Sequence, residues 1–424
     1  MIVELINTGS ELMLGRVLNT HQQWLCRQLA DLGYIVTRQV AVPDAGSDIE
    51  QAVREALARA ELVIATGGLG PTSDDLTRDL VAQLLGKELR EDAAVLAHIS
   101  HIFERVKRPM PEQTKVQALV PEGAIVLHNP YGTAPGLAME VRPNPFRPEG
   151  KPSWLIMLPG PPRELRPMFV DSVVPLLRRE LPLVSGFVCR TLRTTGIGES
   201  VVQEKVGDPL QRWVGAGLDL GYCARPGQVD VRLAASGGSA EQRVREAEAV
   251  VRELLGTSIY GVDEDDLETV IVRLMTERKL TLALAESCTG GCVANRITNV
   301  PGASAVLLAG VVSYSNAAKQ KFLGVQADTL ARHGAVSDAI AREMAEGVRR
   351  QAQADYALAV TGIAGPGGGT SEKPVGTVFI GLAGPSGTVV ARQFNPYDRE
   401  TFKQVTTQQA LEFLRRTILS SGRG

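Results

Sequence analysis

The sequence predicts an α/β protein of more than one domain, and three observations carry that expectation. Short apolar runs alternate with stretches of helical periodicity, the pattern of a doubly wound parallel sheet. Glycine-rich turns follow several of those runs, and sheets of this kind bind ligands at the carboxyl ends of their strands. The length of 424 residues exceeds what one core ordinarily fills, so two or three domains are expected.

Composition narrows the function classes. Apolar residues are 44% and charged residues 22%, the balance of a soluble globular protein. A net charge of −2 gives no global positive field for nucleic acid, and 4% aromatics are too few for base-stacking platforms. The cysteines, Cys26, Cys189, Cys223, Cys288 and Cys292, are scattered and odd in number. They suit the reduced thiols of a cytoplasmic protein better than a disulfide framework. Cys288 and Cys292 lack the second pair a zinc site wants. No basic leader precedes Ile2, so no signal peptide is expected, and no apolar run approaches the roughly 18–20 residues of a membrane span.

The first expected domain covers residues 1–170. Ile2–Ile6 reads as a strand, and Gly9–Leu12 as the loop after it. Trp24, Leu25, Leu29 and Leu32 recur at helical spacing before a C-capping Gly33. Tyr34–Val42 is a second strand. Ser47 to Glu50 has the form of a capping box opening a helix through Val53 and Leu57. Leu62–Thr66 is a third strand. Arg142–Pro152, rich in proline, is a loop or hairpin tip before the strand Trp154–Leu158, and Phe169–Leu181 is a closing helix stopped by Pro182.

Residues 171–262 are expected to form a smaller α+β unit. Phe187–Thr194 and Val229–Ala235 read as strands, and Ala240–Leu255 as a charged amphipathic helix ending at Gly256. The turn Gly196-Ile197-Gly198 invites a nucleic-acid-binding loop of the KH kind. Without a dense basic patch, a connecting module fits better.

Residues 263–424 form the third expected domain. Leu267, Val270, Ile271, Leu274 and Met275 mark one helix face, suited to core or a dimer contact. Thr281–Ala285 is a buried strand, and Gly290-Gly291 opens an amphipathic segment, Cys292–Ile297. A helix from Ser337 through Met344 and Val348 precedes a strand, Tyr356–Thr361. Val375–Leu382 and Thr388–Phe394 pair across a Gly-Pro-Ser-Gly turn, and Arg399–Leu419 is the last helix.

Two stretches carry chemistry. Ser287 ends a strand just before a helix, so its hydroxyl is exposed and the peptide N–H groups after it can hold an oxyanion. A serine needs a base to attack at neutral pH, and the nearest polar candidates on the next segment are Tyr314 and Lys319. The alternatives are that Ser287 and Thr289 only cap a helix, and that Cys288 is a rival nucleophile or a core thiol. The second stretch is TGGLGPTSDDLT, Thr66–Thr77. Its glycines admit a phosphate, yet Asp74 and Asp75 add negative charge there. With Glu11 and Asp44 expected at the same strand edge, four carboxylates suggest a divalent cation and cleavage of a phosphoanhydride. Otherwise Asp74 and Asp75 are helix caps. The glycine run Gly362–Gly369 reads as a flexible loop or as a backbone cradle for a ribose phosphate.

AESCTGG at Ala285–Gly291, SYSNAAK at Ser313–Lys319, HGAVS at His333–Ser337 and VTGIAGPGGG at Val360–Gly369 resemble the C-terminal domain of the CinA family. The stand-alone form of that domain is the nicotinamide mononucleotide (NMN) amidohydrolase. The resemblance implies Ser287 as nucleophile, assisted by Tyr314 and Lys319. It also implies contacts to NMN from Thr289, Gly290, Gly291, Thr361, Gly362 and Gly365, and no cofactor. GSELMLGRVLNT at Gly9–Thr20, the Thr66–Thr77 stretch, NPYGTAPGLAME at Asn129–Glu140 and LPGPPRELRPMF at Leu158–Phe169 resemble the family's N-terminal domain. That domain is similar to molybdopterin-binding domains of the MoaB and MoeA kind. It implies an ADP-ribose pyrophosphatase that uses a divalent metal (Mg, Mn or Co) at Glu11, Asp44, Asp74 and Asp75. Gly67, Gly68, Gly70, Thr72 and Asn19 would contact its substrate. Gly-Ser-Glu and Val-Pro-Asp44 stand where many relatives have Gly-Thr-Glu and Val-Gly-Asp. The resemblance further implies a homodimer acting on small nucleotides, with nucleic acid and membrane not expected as partners. The other class of reading is a competence-associated or pterin-type binding protein, with one or both modules non-catalytic.

Overall fold

The computed structural model describes residues 1–183 and 186–421, in two compact units, 1–188 and 189–424. In the first unit the strands are β1 (Val3–Thr8), β2 (Val36–Val42), β3 (Leu62–Thr66), β4 (Leu89–Glu91), β5 (Leu119–Pro121), β6 (Ile125–Leu127), β7 (Gly136–Val141) and β8 (Ser153–Leu158). The main sheet has the order β2-β1-β3-β8-β7-β6, and β4 pairs separately with β5. β1, β2, β3 and β8 run parallel, and β7 and β6 are antiparallel additions. Alternate residues of β1 and β3 enter different cores. Val3, Leu5, Leu62 and Ile64 pack with Leu25, Leu29, Phe169 and Leu177. Ile6, Val63 and Ala65 pack with Ile49, Val53 and Leu57. Burial on both faces is what a parallel sheet between helical layers requires. After β1 the chain crosses to β2 on one side, then returns to β3 on the other. The crevice at the carboxyl ends of β1 and β3 is a topological switch point.

Several local expectations change. Gly9–Leu12 is not all loop, because Ser10–Met13 makes one helical turn. The capping box at Ser47 does not form. That helix opens a residue earlier, at Gly46, with no side-chain cap. The closing helix starts at Pro162, passes through a π-helical stretch at Phe169–Val173 and ends at Glu180.

In the second unit β9 (Phe187–Thr195), β10 (Leu218–Arg225), β11 (Gln228–Ser236) and β12 (Ile259–Val262) form a sheet of order β10-β11-β9-β12. Helix Ala240–Leu255 ends as predicted. Helix Glu199–Gly215 has no counterpart in the sequence reading, and Pro209 inside it masks the period. β13 (Leu282–Glu286), β14 (Leu307–Val312), β15 (Tyr356–Gly362), β16 (Thr377–Gly384) and β17 (Gly387–Phe394) form a second sheet, β14-β13-β15-β16-β17. β13 runs parallel to β14 and β15, whereas β16 and β17 are antiparallel. The chain leaves β13 for β14 on one side and returns to β15 on the other, so a second switch point opens beyond Glu286.

Candidate functional site

The turn after β13 is built around a carboxylate. Glu286 is the last strand residue and is buried. Its Oε2 accepts from the N–H groups of Gly291 at 2.9 Å and Val293 at 3.1 Å, and its Oε1 accepts from Ala294 at 2.8 Å. The carboxylate therefore satisfies the open N-terminus of helix Cys292–Thr298, where the dipole favours negative charge. Gly290 and Gly291, at φ +61° and +97°, make the reversal that turns those N–H groups back toward it. Ser287 and Thr289 do not cap this helix. Glu286 does, and sequence reading missed it. The available signal was an acidic residue at a strand end shortly before a helix.

Ser287 is tied to β15 through its N–H, which donates to the Val360 carbonyl at 3.0 Å. Lys319, from the first turn of helix Asn316–Leu323, is only 1% exposed. Its Nζ lies 3.0 Å from Ser287 Oγ and donates to the Ser313 carbonyl at 2.8 Å. Burial holds the Lys319 pKa below its ordinary value, and Cys288 opposes that shift. An amine with a depressed pKa beside a serine hydroxyl is the arrangement of an activated nucleophile and its base. Cys288 is the reverse case. Burial pushes its thiol up to about 12, so at neutral pH it is a core residue and not a competing thiolate.

The other expected residues divide. Tyr314 is adjacent in sequence, yet its ring is exposed and its hydroxyl accepts from Arg399, not from Lys319 or Ser287. Its carbonyl alone approaches Lys319 Nζ, at 3.5 Å. The N–H groups of Gly290 and Gly291 are not open to an oxyanion. Gly290 donates to the Ser287 carbonyl and Gly291 to Glu286. Among the described residues no oxygen accepts from the N–H of Cys288 or Thr289; both face the Cys288 sulfur. Thr289 Oγ1 is buried without a partner. Thr361 Oγ1 donates to the Ala335 carbonyl at 2.8 Å. A Cβ at Gly362 would lie 3.1 Å from Cys288 Sγ, and one at Gly365 2.6 Å from Val375 Cγ1. Arg399, unforeseen in the sequence, donates to the Gly365 carbonyl at 2.7 Å and so links that loop to Tyr314. A Cβ at Gly290 would lie 3.8 Å from Lys403 Nζ, which brings a second cation to the same turn.

In the first unit a cavity of about 400 Å³ opens at the β1/β3 switch point. Glu11, Asp44, Gly67, Gly68, Gly70, Asp74 and Asp75 all line it. Thr72 lines a neighbouring cavity, and its N–H donates to Asp75 Oδ2 at 2.9 Å. Neither Asp74 nor Asp75 caps the following helix, whose N-cap is Leu76. Asn19 is not part of the cavity. Its Oδ1 accepts from Gln22 N at 3.1 Å as the N-cap of helix Thr20–Asp31. The four carboxylates share a cavity but not a coordination shell. Among the described residues no three or more His, Cys, Asp or Glu side chains form a metal-ligating group. Asp44 is engaged with Ser10, accepting from its N–H at 2.7 Å, and Asp75 with Thr72. The donor set fits a magnesium-like ion only in the form that uses one or two carboxylates plus substrate phosphates and water. Gln117 and Glu164 also line this cavity and were not foreseen.

Comparison with known proteins gives three family matches along the chain. A family model described as "CinA C-terminal domain" matches residues 264–418. One described as "Probable molybdopterin binding domain" matches residues 4–179, and "Damage-inducible protein CinA KH domain" matches 189–261. The segment expected as a connecting module is thus KH-like. A CinA-like protein of Akkermansia muciniphila is 44% identical over 414 residues, covering 96% of this chain and 95% of that protein. A CinA-like protein of Kosmotoga olearia is 43% identical over 422 residues, covering 99% of each. The crystal structure of the competence/damage inducible protein CihA from Agrobacterium tumefaciens is 41% identical, with a TM-score of 0.35. It covers 35% of this chain and 92% of that one. The fold and these matches together define a modular α/β protein in which a probable molybdopterin binding domain precedes a KH domain and a CinA C-terminal domain. The chain belongs to the CinA family of competence/damage-inducible proteins.

Proposed function

We propose that the C-terminal site is a serine amidohydrolase that converts NMN and water to nicotinate mononucleotide and ammonia. The observation that carries this reading is the buried Lys319 Nζ at 3.0 Å from Ser287 Oγ. Neutral Lys319 accepts the Ser287 proton as Oγ attacks the carboxamide carbon. The N–H groups of Cys288 and Thr289 stabilise the oxyanion. The tetrahedral intermediate collapses as Lys319 returns its proton to the departing ammonia. Water, deprotonated by Lys319, then cleaves the acyl-serine ester and restores the hydroxyl. Tyr314 takes no step in this route, because its hydroxyl lies against Arg399 and makes no hydrogen bond to Ser287 or Lys319. Arg399 and Lys403 supply positive charge suited to the phosphate of a mononucleotide.

The N-terminal cavity is read as the site of an ADP-ribose pyrophosphatase giving AMP and ribose 5-phosphate. Glu11 and Asp74 would hold a divalent ion together with the substrate's phosphates, and the ion would supply Lewis-acid polarisation of a phosphoryl oxygen. The absence of a three-ligand cluster among the described residues favours, as a second reading, a nucleotide-binding module without turnover. We read the protein as cytoplasmic and homodimeric, with no role for nucleic acid or membrane. No helix among the described residues is long and apolar enough to cross a membrane. The test is ammonia release from NMN in the presence of EDTA, wild type beside Ser287→Ala. Release by the wild type alone is expected. Equal release by a folded Ser287→Ala protein would remove Ser287 as nucleophile.

A further inference from the structure

The N-terminal cavity holds hydrogen-bond acceptors that the reading above leaves idle. Gln117 is 2% exposed and lines the cavity. Its Nε2 donates to the Leu69 carbonyl at 3.3 Å, but its Oε1 is buried with no donor. A buried acceptor is costly to leave unmatched, so this atom marks where a ligand O–H or N–H belongs. Glu164 lines the same cavity and is also buried. Its Oε2 accepts from Asn129 Nδ2 at 2.9 Å, and the exposed Arg163 approaches Oε1 only to 3.7 Å. Gly132 makes room for that carboxylate, since a Cβ there would collide with Oε2. No arginine or lysine is among the described residues lining the cavity, although Glu11, Asp44, Asp74 and Asp75 are. A wall of acceptors without cations selects for hydroxyl donors and not for a bare anion.

We propose that Gln117 and Glu164 are specificity-determining residues that read a vicinal diol, a ribose of the nucleotide bound in this cavity. A carboxylate beside a nucleotide site takes ribose hydroxyls directly, and Gln117 Oε1 completes the set with its empty acceptor. The inference rests on the reading of the N-terminal unit as a nucleotide site and adds which part of the ligand it recognises.

The test is calorimetric titration of the full chain, in magnesium buffer, with three ligands. These are ADP-ribose, its congener lacking both adenosine ribose hydroxyls, and ADP, which lacks the terminal ribose. Glu164→Gln and Gln117→Met preserve volume; the first removes the charge and turns one carboxylate oxygen into a donor, and the second removes the amide acceptor. Each is expected to bind ADP-ribose roughly 10- to 100-fold more weakly than wild type, the range for hydrogen bonds to charged or buried groups. That penalty should vanish for whichever truncated ligand lacks the diol being read. A penalty of equal size for all three ligands overturns the proposal and makes Glu164 a support for the Asn129–Gly132 turn. Unchanged binding by both variants overturns it too. A wild type that binds none of the three removes the nucleotide reading itself, a distinct result. If Glu164→Gln does not fold, Gln117→Met carries the same comparison alone.

Discussion

Glu286→Gln isolates what one buried carboxylate contributes to the nucleophile turn. The wild-type side chain accepts three N–H bonds, two at Oε2 and one at Oε1. A glutamine keeps the shape. Its best orientation places the amide oxygen at the Oε2 position and keeps two bonds, now to a neutral acceptor. The amide NH₂ then faces the Ala294 N–H, donor against donor. Losing a charged-acceptor bond costs about 1.5–3 kcal/mol. Removing the negative charge from the helix N-terminus costs about 0.3–1 kcal/mol more. The expected loss of local stability is therefore about 2–4 kcal/mol. Native-state hydrogen exchange at Gly291, Val293 and Ala294 reads it directly. At about 1.4 kcal/mol per tenfold change, protection there should fall roughly 30- to 700-fold. Amidase kcat should fall with it, because Ser287 sits on the same turn. Protection within about twofold of wild type would refute the assignment of Glu286 as the cap that holds the site.

Four further outcomes follow from the same geometry. Lys319 has its pKa lowered from 10.5 by burial, so kcat/KM for NMN should rise with pH across a window below 10.5, and Lys319→Arg should abolish both the activity and that limb. The sign for stability runs the same way. The unfolded chain protonates Lys319 first, so the fold loses stability as pH drops from 10.5 toward the lowered value, and urea titrations of wild type against Lys319→Met should show that slope only in wild type. Cys288→Ala should cost about 1 kcal/mol of stability for one buried group and leave ammonia release within a few fold, whereas loss of turnover in a folded variant would return the thiol to the mechanism. Gly365→Ala meets Val375 Cγ1 at 2.6 Å from a φ of +73°, so it should displace the loop that Arg399 holds and weaken NMN binding more than it slows kcat, as steady-state kinetics would report.

Much of the architecture is legible in the residues, because periodicity reports which face is buried. The strand Leu62–Thr66 and helix Ala240–Leu255 lie where their patterns put them. Helix Glu199–Gly215 was hidden by Pro209, and the Ser47 box was overridden by a helix that starts at Gly46. The reaction-bearing pair is partly legible too. Ser287 and Lys319 are 32 positions apart in sequence, and only the parallel pairing of β13 with β14 sets them 3.0 Å apart. Sequence cannot show which side chain satisfies which backbone group. Of the N–H groups after Ser287 it offered for the oxyanion, Gly290 and Gly291 are taken by Ser287 and Glu286, and Tyr314, its other candidate assistant, turns its hydroxyl oxygen to Arg399. It also assigned Asn19 to a ligand that its own helix replaces.

The motifs by themselves determined the order of the modules, the two glycine-rich turns and the residue types with reactive groups, since those depend on local chain chemistry. Tertiary structure alone decided the depressed pKa of Lys319, the raised pKa of Cys288 and the sharing of four carboxylates in a cavity without a coordination shell. Desolvation and hydrogen-bond satisfaction are properties of what surrounds an atom, and those surroundings come from segments far apart in the chain.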